Sequence, residues 1–452
     1  MFFKYINMSV VPTQMIPGAL ANGVDSLKAL TPERIKLKPV NQAQQYTPSG
    51  INKITFRLPA YSNSFLDTSK CFLTYTLGYT TTTSPLNNAS CCAPINNACF
   101  INRLVVKTSA GLVVDDISDY NVLVAMNSQM LELGNYINDM EGRSAMSMES
   151  GIHSGDYSIR RSFANRGVDY RHQIQAGVFS KALSKWIPIG MCDSGSGFAF
   201  EIDLYLADTP AVIKQIGTVS SPEYFVKDVV FHLETRRADE GLCKKFNEIA
   251  CQEDKEILIP FSTMHHHQNS LSNPGQNLVR IHESATNLKR IFSVYMLAND
   301  LSTIALQQAY AFTGSEVAVI KFNCRVGSKW LFNEPVSNTA EAIMHLKNSL
   351  GLQHKSLWLE QSSVLAPGGG LPEQPMAPSA KFVQVVDFGY SNEKFLDGIS
   401  SNTPVELIIE TKTGYTPGSI MMHSFTELNY NLSIRMGQVT YTEPKPGSGS
   451  VY

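Results

Sequence analysis

Period-two alternation of apolar and polar residues recurs along this chain, and it confines the fold to antiparallel sheets with one dry face. In INKITFRLP, Ile51, Ile54, Phe56 and Leu58 are set against polar partners, and CFLTYTLGY follows after a turn. FINRLVVKTSAGLVVDD reads as two strands joined around Ser109-Ala110-Gly111, a hairpin. In FAFEIDLYL, Phe198, Phe200, Ile202, Leu204 and Leu206 point one way, and Ala199, Glu201, Asp203 and Tyr205 the other. EYFVKDVVFHLE places Val229, Phe231 and Leu233 opposite His232 and Glu234. Sheets of this kind bury their dry faces by packing against each other.

The charged stretch RRADEGLCKKFNEIACQED, 236–254, breaks the pattern, after which the order of signals repeats. KEILIPFS, LKRIFSVYML, EVAVIKFNCRV and PVELIIETKT follow in turn. ELNYNLSIRMG closes the series, with Leu428, Tyr430, Leu432, Ile434 and Met436 alternating against Asn429, Asn431, Ser433 and Arg435. Two helices fall at corresponding places in the halves. DYNVLVAMNSQML has Asp119 at its cap position and a stripe of Tyr120, Leu123, Val124, Met130 and Leu131. NTAEAIMHLKNSLG has a capping-box pattern from Asn338 to Glu341, a terminal Gly351, and a stripe of Ala340, Ile343, Met344 and Leu350. The expected organisation is an N-terminal arm at 1–48, a first β-sandwich at 49–238, a linker at 239–254, a second sandwich at 255–443 and a tail at 444–452. The arm carries a small basic patch of Arg34, Lys36 and Lys38. Long loops join the strands, notably the Pro- and Gly-rich 366–380.

Composition narrows function more than it defines it. A formal net charge of −2 over 452 residues supplies no global basic field for nucleic acid. Charged residues are only 17% of the chain, which fits either polar uncharged loops or a surface largely covered by neighbouring subunits. The apolar N-terminus is interrupted by Lys4, Pro12, Gln14 and Pro17, so neither a secretory signal nor a transmembrane segment is expected. The sequons at Asn88 and Asn431 are then expected to stay unused. The eight cysteines form no C-x-x-C pair and are expected to be buried free thiols. Cys91, Cys92 and Cys99 are the one local cluster where oxidation would matter.

The motifs for chemistry are incomplete. In His265-His266-His267 the positions where a cupin-type site needs its glutamate hold Leu271 and Ser272, so no metal ligand set is assigned and a polar loop is expected. A pH-sensitive contact is the milder reading, because imidazole titrates near neutrality. Gly327-Ser328-Lys329 lacks the upstream glycine of a phosphate loop, and Gly368-Gly369-Gly370 has no following helix. Asp193 to Gly197 lacks the first glycine of a nucleophile elbow. Asp115-Asp116 is expected to serve the N-terminus of the helix that follows. Arg160-Arg161 and Arg236-Arg237 read as ion-pair or interface residues. No catalytic residue, cofactor or metal is expected, and the chain is not expected to be an enzyme.

The ordered segments resemble a known family. ITFRLPAYSNSFLDTSKCFLTYTL is similar to the opening strands of double jelly-roll major capsid proteins, where a strand ends in Leu-Pro and a Phe-Leu-Asp turn leads into the next. FINRLVVKTSAGLVVDDISDYNVLVAM resembles the family's strand, Gly turn, acidic pair and Tyr-Asn-Val-Leu helix start. WLFNEPVSNTAEAIMHLKNSLG and FGYSNEKFLDGISSNTPVELIIETKTG, with its turn at Gly398 to Ser400, are similar to segments of its second half. The nearest look is to capsid proteins of polinton-like viruses, adintoviruses and virophages. The resemblance implies an all-β fold of two tandem jelly-roll sandwiches with short helices in inter-strand loops. It further implies a homotrimer forming a pseudo-hexameric capsomer of an icosahedral DNA-virus shell. Its partners would be neighbouring capsomers and penton and minor or cement proteins, with no specific nucleic acid, and its place the virion. A carbohydrate-binding or fibre-type tandem sandwich is the alternative. It would use exposed aromatics, of which Trp186, Trp330 and Trp358 are the only tryptophans.

Overall fold

The computed structural model describes residues 31–59, 64–80, 90–93, 98–131, 160–161, 168–175, 177–179, 186–189, 199–216, 221–238, 257–271, 273–283, 288–299, 301–302, 319–357, 382–388, 404–411, 420–435 and 438–442, with isolated positions between 240 and 248. The first half contributes β1 (Thr31–Leu37), β2 (Lys53–Arg57), β3 (Ser64–Asp67), β4 (Phe72–Thr80), β5 (Ser90–Ala93), β6 (Ile101–Thr108), β7 (Val113–Ser118) and helix α1 (Tyr120–Gln129). It continues with β8 (Arg160–Arg161), β9 (Val168–His172), β10 (Trp186–Ile189), β11 (Phe200–Leu206), β12 (Lys214–Ile216) and β13 (Glu223–Arg237). The second half runs through β14 (Ile257–Leu271), β15 (Gln276–Ile281), β16 (Leu288–Leu297), β17 (Val319–Val326), β18 (Lys329–Trp330) and helix α2 (Thr339–Leu350). It ends with β19 (Gln384–Asp387), β20 (Val405–Thr411), β21 (Ile420–Arg435) and β22 (Gln438–Thr442).

The same strand plan is laid down twice. In the second half one sheet runs β14-β21-β16-β19 and the other β15-β20-β17-β18. The first half repeats this as β1 on β13, β13-β4-β9, and β2-β11-β6-β7. In each half the first strand therefore pairs with the long closing strand (β1 with β13, β14 with β21) and the second with a late strand of the other sheet (β2 with β11, β15 with β20), which is jelly-roll-like order. All named pairings are antiparallel. Strands β3 and β10 extend the first sheet, and β12-β5-β8 form a small sheet apart.

Residues 31–37, placed in the N-terminal arm from sequence, form β1 and pair with Phe231–Arg237 of β13. Tyr46 continues the contact by bridging Val226 through hydrogen bonds of 2.8 and 2.9 Å. Charges of the kind found in TPERIKL are usual on an edge strand, where they discourage pairing with another chain. That composition hid the strand from a search for apolar alternation.

The dry faces meet as the alternation requires. Ile54, Phe56, Leu104, Val106, Ile202 and Leu204 are buried with Phe231 and Leu233 of the facing sheet. Phe56 and Phe231 lie 5.7 Å apart between ring centroids. In the second half Ile259, Phe261, Ile291, Phe322, Leu407, Ile409 and Leu432 do the same. Asp203 departs from the expected wet face. It is buried beneath Lys53 at 3.0 Å and Lys107 at 2.8 Å, and Thr55 donates to it at 2.8 Å. Burial pushes its carboxyl up, but the bonds from Lys107, Lys53 and Thr55 outweigh this and hold it below the usual carboxylate range.

Both helices form where expected, with corrected faces. Helix α1 is not a one-sided stripe: Tyr120 to Met126 are all buried, so it lies inside the packing. Helix α2 is capped by Asn338 accepting from Glu341 N–H at 2.8 Å, and it ends on Gly351 at φ 67°. Its buried face is Ala342 and Leu346 flanked by Ile343 and Leu350, whereas Ala340 and Met344 are exposed. The hairpin turn at Gly111 (φ 85°) stands as expected. Cys71, Cys99 and Cys324 are buried free thiols, and Cys243 is buried too. Burial pushes the Cys71, Cys99 and Cys324 thiols up to about 12, which leaves them unreactive. Cys91 and Cys92 sit on β5, paired with Gln215 and Lys214. The loop 366–380, Asp193–Gly197, Gly368–Gly370, the turn at Gly398–Ser400, Asn88 and Trp358 lie outside the described residues.

Candidate functional site

The histidine triplet lies in a strand, not in the polar loop expected of it. His265, His266 and His267 occupy the middle of β14, which pairs along its length with β21 from Ile257↔Ile434 to Leu271↔Ile420. β14 is the edge strand of its sheet, and its free side packs against β7 and the turn Gly177–Phe179 of the first half. The triplet therefore sits at the seam between the halves. Successive side chains in a strand alternate faces, so His265 and His267 share one and His266 takes the other.

On the first face Glu283, just past β15, is held between two imidazoles. His265 Nδ1 and His267 Nε2 both lie 3.2 Å from its carboxylate, and Thr426 Oγ1 donates to it at 3.0 Å. Burial raises the Glu283 carboxyl, but the bonds from His265 and His267 overcome this and hold it at about 2. His265 moves the opposite way: burial lowers it, and the Glu283 carboxylate more than restores it, above the ordinary histidine value. The largely buried Glu283 carboxylate thus has three partners, and the half-exposed His265 becomes its counter-charge when protonated.

On the second face His266 Nε2 lies 3.1 Å from Nδ1 of His423, which comes from β21. Gln268↔His423 and His266↔Phe425 are register partners, so the two histidines are diagonal neighbours on one face. The His266 ring packs 4.9 Å from the Phe425 ring. Burial lowers His266 to about 3, helped by His423 and His267, and burial lowers His423 to about 4. Both are neutral at physiological pH.

The third member comes from the first half. Asp119 Oδ2 lies 3.5 Å from His266 Nε2 and 3.6 Å from His423 Nδ1. Asp119 was expected to cap α1; its side chain makes no cap hydrogen bond, and its backbone adopts the left-handed region at φ 47°. The acidic pair before it also behaves differently from expectation. Asp116 pairs with Arg103, whose Nε donates at 2.7 Å, and Asp115 turns inward at the seam; neither serves the helix terminus. Asp115 is buried, and Val178 N–H donates to its Oδ2 at 3.2 Å. Burial pushes its carboxyl up to about 6 against the lowering effect of Thr263 and Val178.

Sequence reading singled out the triplet but missed Asp119, Glu283 and His423 as its partners. Alternation in ELNYNLSIRMG marks the second half of β21, whereas His423 precedes it in a stretch where both faces are buried. Of the other candidates, Arg236 reaches Glu234 at 2.8 Å as an ion-pair residue, and Gly327 (φ 58°) makes the tight turn between β17 and β18. Trp330 is half exposed. No helix among the described residues is long and apolar enough to cross a membrane.

The sequence matches no family model and no curated protein. Solved structures do match. VP54 of the virus PBCV-1, as fitted into a reconstruction of the virophage Sputnik, aligns over 92% of this chain and 97% of its own, at 9% identity and a TM-score of 0.58. The Sputnik virophage structure aligns over 91% and 88%, at 10% identity and a TM-score of 0.57. A quasi-atomic model of the PBCV-1 capsid gives 92% and 97%, at 9% identity and 0.55. The fold is similar to that of double jelly-roll major capsid proteins. At this level of identity the likeness is one of fold, spanning both halves of the chain and nearly the whole of the VP54 chain.

Proposed function

We propose that this chain is a major capsid protein, built as two closed jelly-roll sandwiches in tandem, and that it acts by assembly, without catalysis. The observation that carries the reading is the twice-laid strand plan, with β1 pairing β13 and β14 pairing β21, in a fold that aligns with the PBCV-1 VP54 chain over 92% of this chain and with the Sputnik chain over 91%. In this reading three copies form a pseudo-hexameric capsomer. Two similar sandwiches per chain give six lateral walls, which suits a sixfold position of an icosahedral shell. Low overall charge and half-exposed Leu278, Trp330 and Met344 are consistent with walls that neighbouring copies cover. Penton and minor or cement proteins are the further partners, and the virion is its place.

Sedimentation of the purified protein tests the reading. A particle of about three times the 49.9 kDa chain mass, hexagonal in outline by negative-stain microscopy, is expected. A stable monomer at micromolar concentration overturns it.

A further inference from the structure

We propose that Asp119, His266 and His423 bind one divalent transition-metal ion of the zinc class, and that this ion fastens the first jelly roll to the second. The ligand atoms form a triangle with sides of 3.1, 3.5 and 3.6 Å. Zinc bonds of about 2.0–2.1 Å at tetrahedral angles place ligand atoms roughly 3.3–3.4 Å apart, so the triangle has the size of one face of that tetrahedron. No other group of three such residues among the described ones is drawn together in this way.

The donor set selects the metal. Two imidazole nitrogens and one carboxylate suit zinc, cobalt or nickel, whereas calcium and magnesium take oxygen ligands. Imidazole binds a metal through the lone pair of a neutral ring nitrogen, which both rings can offer. A hydrogen bond between His266 Nε2 and His423 Nδ1 uses one proton and one lone pair; a cation at the triangle's centre uses a lone pair from each ring and the carboxylate together.

Asp119 supplies the second, independent observation. It sits at the N-cap position, where a side-chain oxygen ordinarily accepts from the helix, yet it makes no such bond and holds a left-handed backbone instead. Its carboxylate points across the seam to the two histidines. Asp119 and His423 also line a cleft of about 270 Å³ together with Asn121, Gln268 and Ser302, which offers an entry path and room for a water as fourth ligand. The ligands come from the end of the β7 segment, from β14 and from β21, so the complete site exists only when both halves are folded and docked.

Metal content of the purified full-length protein, measured after loading with Zn²⁺ and exchange into metal-free buffer, tests the site. About one zinc per chain is expected. Asp119→Asn and His423→Gln are each expected to weaken binding at least ~tenfold, the scale on which even outer-shell changes act. His265→Gln, which removes a neighbouring histidine that faces Glu283, is expected to retain the ion. Because a variant can fail to fold, Co²⁺ titration of the unaltered protein gives a second measurement. The intense visible absorption of a four-coordinate cobalt site should saturate at one equivalent and vanish on adding Zn²⁺. Zinc content far below one per chain, equal loading of Asp119→Asn, or a cobalt spectrum of the weak six-coordinate kind would each overturn the proposal.

Discussion

A Cβ built on Gly177 would lie 1.6 Å from Oδ2 of Asp115, so these two residues share a volume at the seam between the halves. Gly177 also has φ 59°, in the region that costs an L-residue roughly 1–2 kcal/mol. Gly177→Ala is therefore expected to destabilise by about 3 kcal/mol, strain and overpacking together. Gly111 is the control: φ is 85°, but nothing lies within 4 Å of its added Cβ. Its alanine variant should lose only about 1 kcal/mol, the backbone part alone. Urea denaturation of both variants checks the difference, and equal losses would show that Asp115 yields without resistance.

Asp115 itself should make stability fall as pH rises. Its carboxyl moves from 3.8 to about 6 on folding, chiefly through burial. Between these values the folded protein holds a proton that the unfolded chain has released, so the contribution present below pH 3.8 is lost by about pH 6. Asp115→Asn keeps an acceptor for Val178 N–H and presents an amide in place of Oδ1, which has no hydrogen-bond partner among the described residues. The expected gain is about 2–3 kcal/mol at pH 8 and little at pH 4, from about 1.36 kcal/mol per pKa unit. Denaturation curves at the two pH values measure it. A gain independent of pH would mean that the carboxyl does not titrate in this range.

Arg290 and Glu427 should prove sensitive to conservative change. The guanidinium meets the carboxylate through two bonds, Nε at 2.7 Å and Nη2 at 3.1 Å, while Nη1 donates to the Ser349 carbonyl at 2.5 Å in the last turn of α2. One side chain thus binds β21 and caps a helix end. Arg290→Lys keeps the charge but loses the fork, and is expected to cost about 2 kcal/mol. Glu427→Gln leaves a largely buried guanidinium short of its counter-charge and should cost about 3 kcal/mol. Amide exchange at the C-terminal turn of α2 should accelerate in the lysine variant. Unchanged exchange there would show that Ser349 does not depend on Arg290.

Much of the architecture was legible in the residues because alternation with period two reports directly which side of a sheet is dry. Phe56, Ile202, Phe231 and Leu432 all lie where their parity places them. Helix α2 was equally legible, since Asn338, Glu341 and Gly351 are local signals acting within a few residues. β1 was not, because the sheet it joins is closed by a partner some 200 positions away, and a charged edge strand carries little apolar signal.

The positions of most strands along the chain and the recurrence of their signals in the second half follow from local pattern, which any peptide segment carries with it. Which side chains meet at the seam does not. Asp119 reads as a cap and His265 to His267 as a polar run until folding brings the carboxylate against His266 and His423, and Glu283 between His265 and His267. The Asp119 distances are set by how the first half docks on the second, and the Glu283 distances by how the segment after β15 packs on β14. Such docking depends on the shapes of whole surfaces, which no spacing along the chain encodes in readable form.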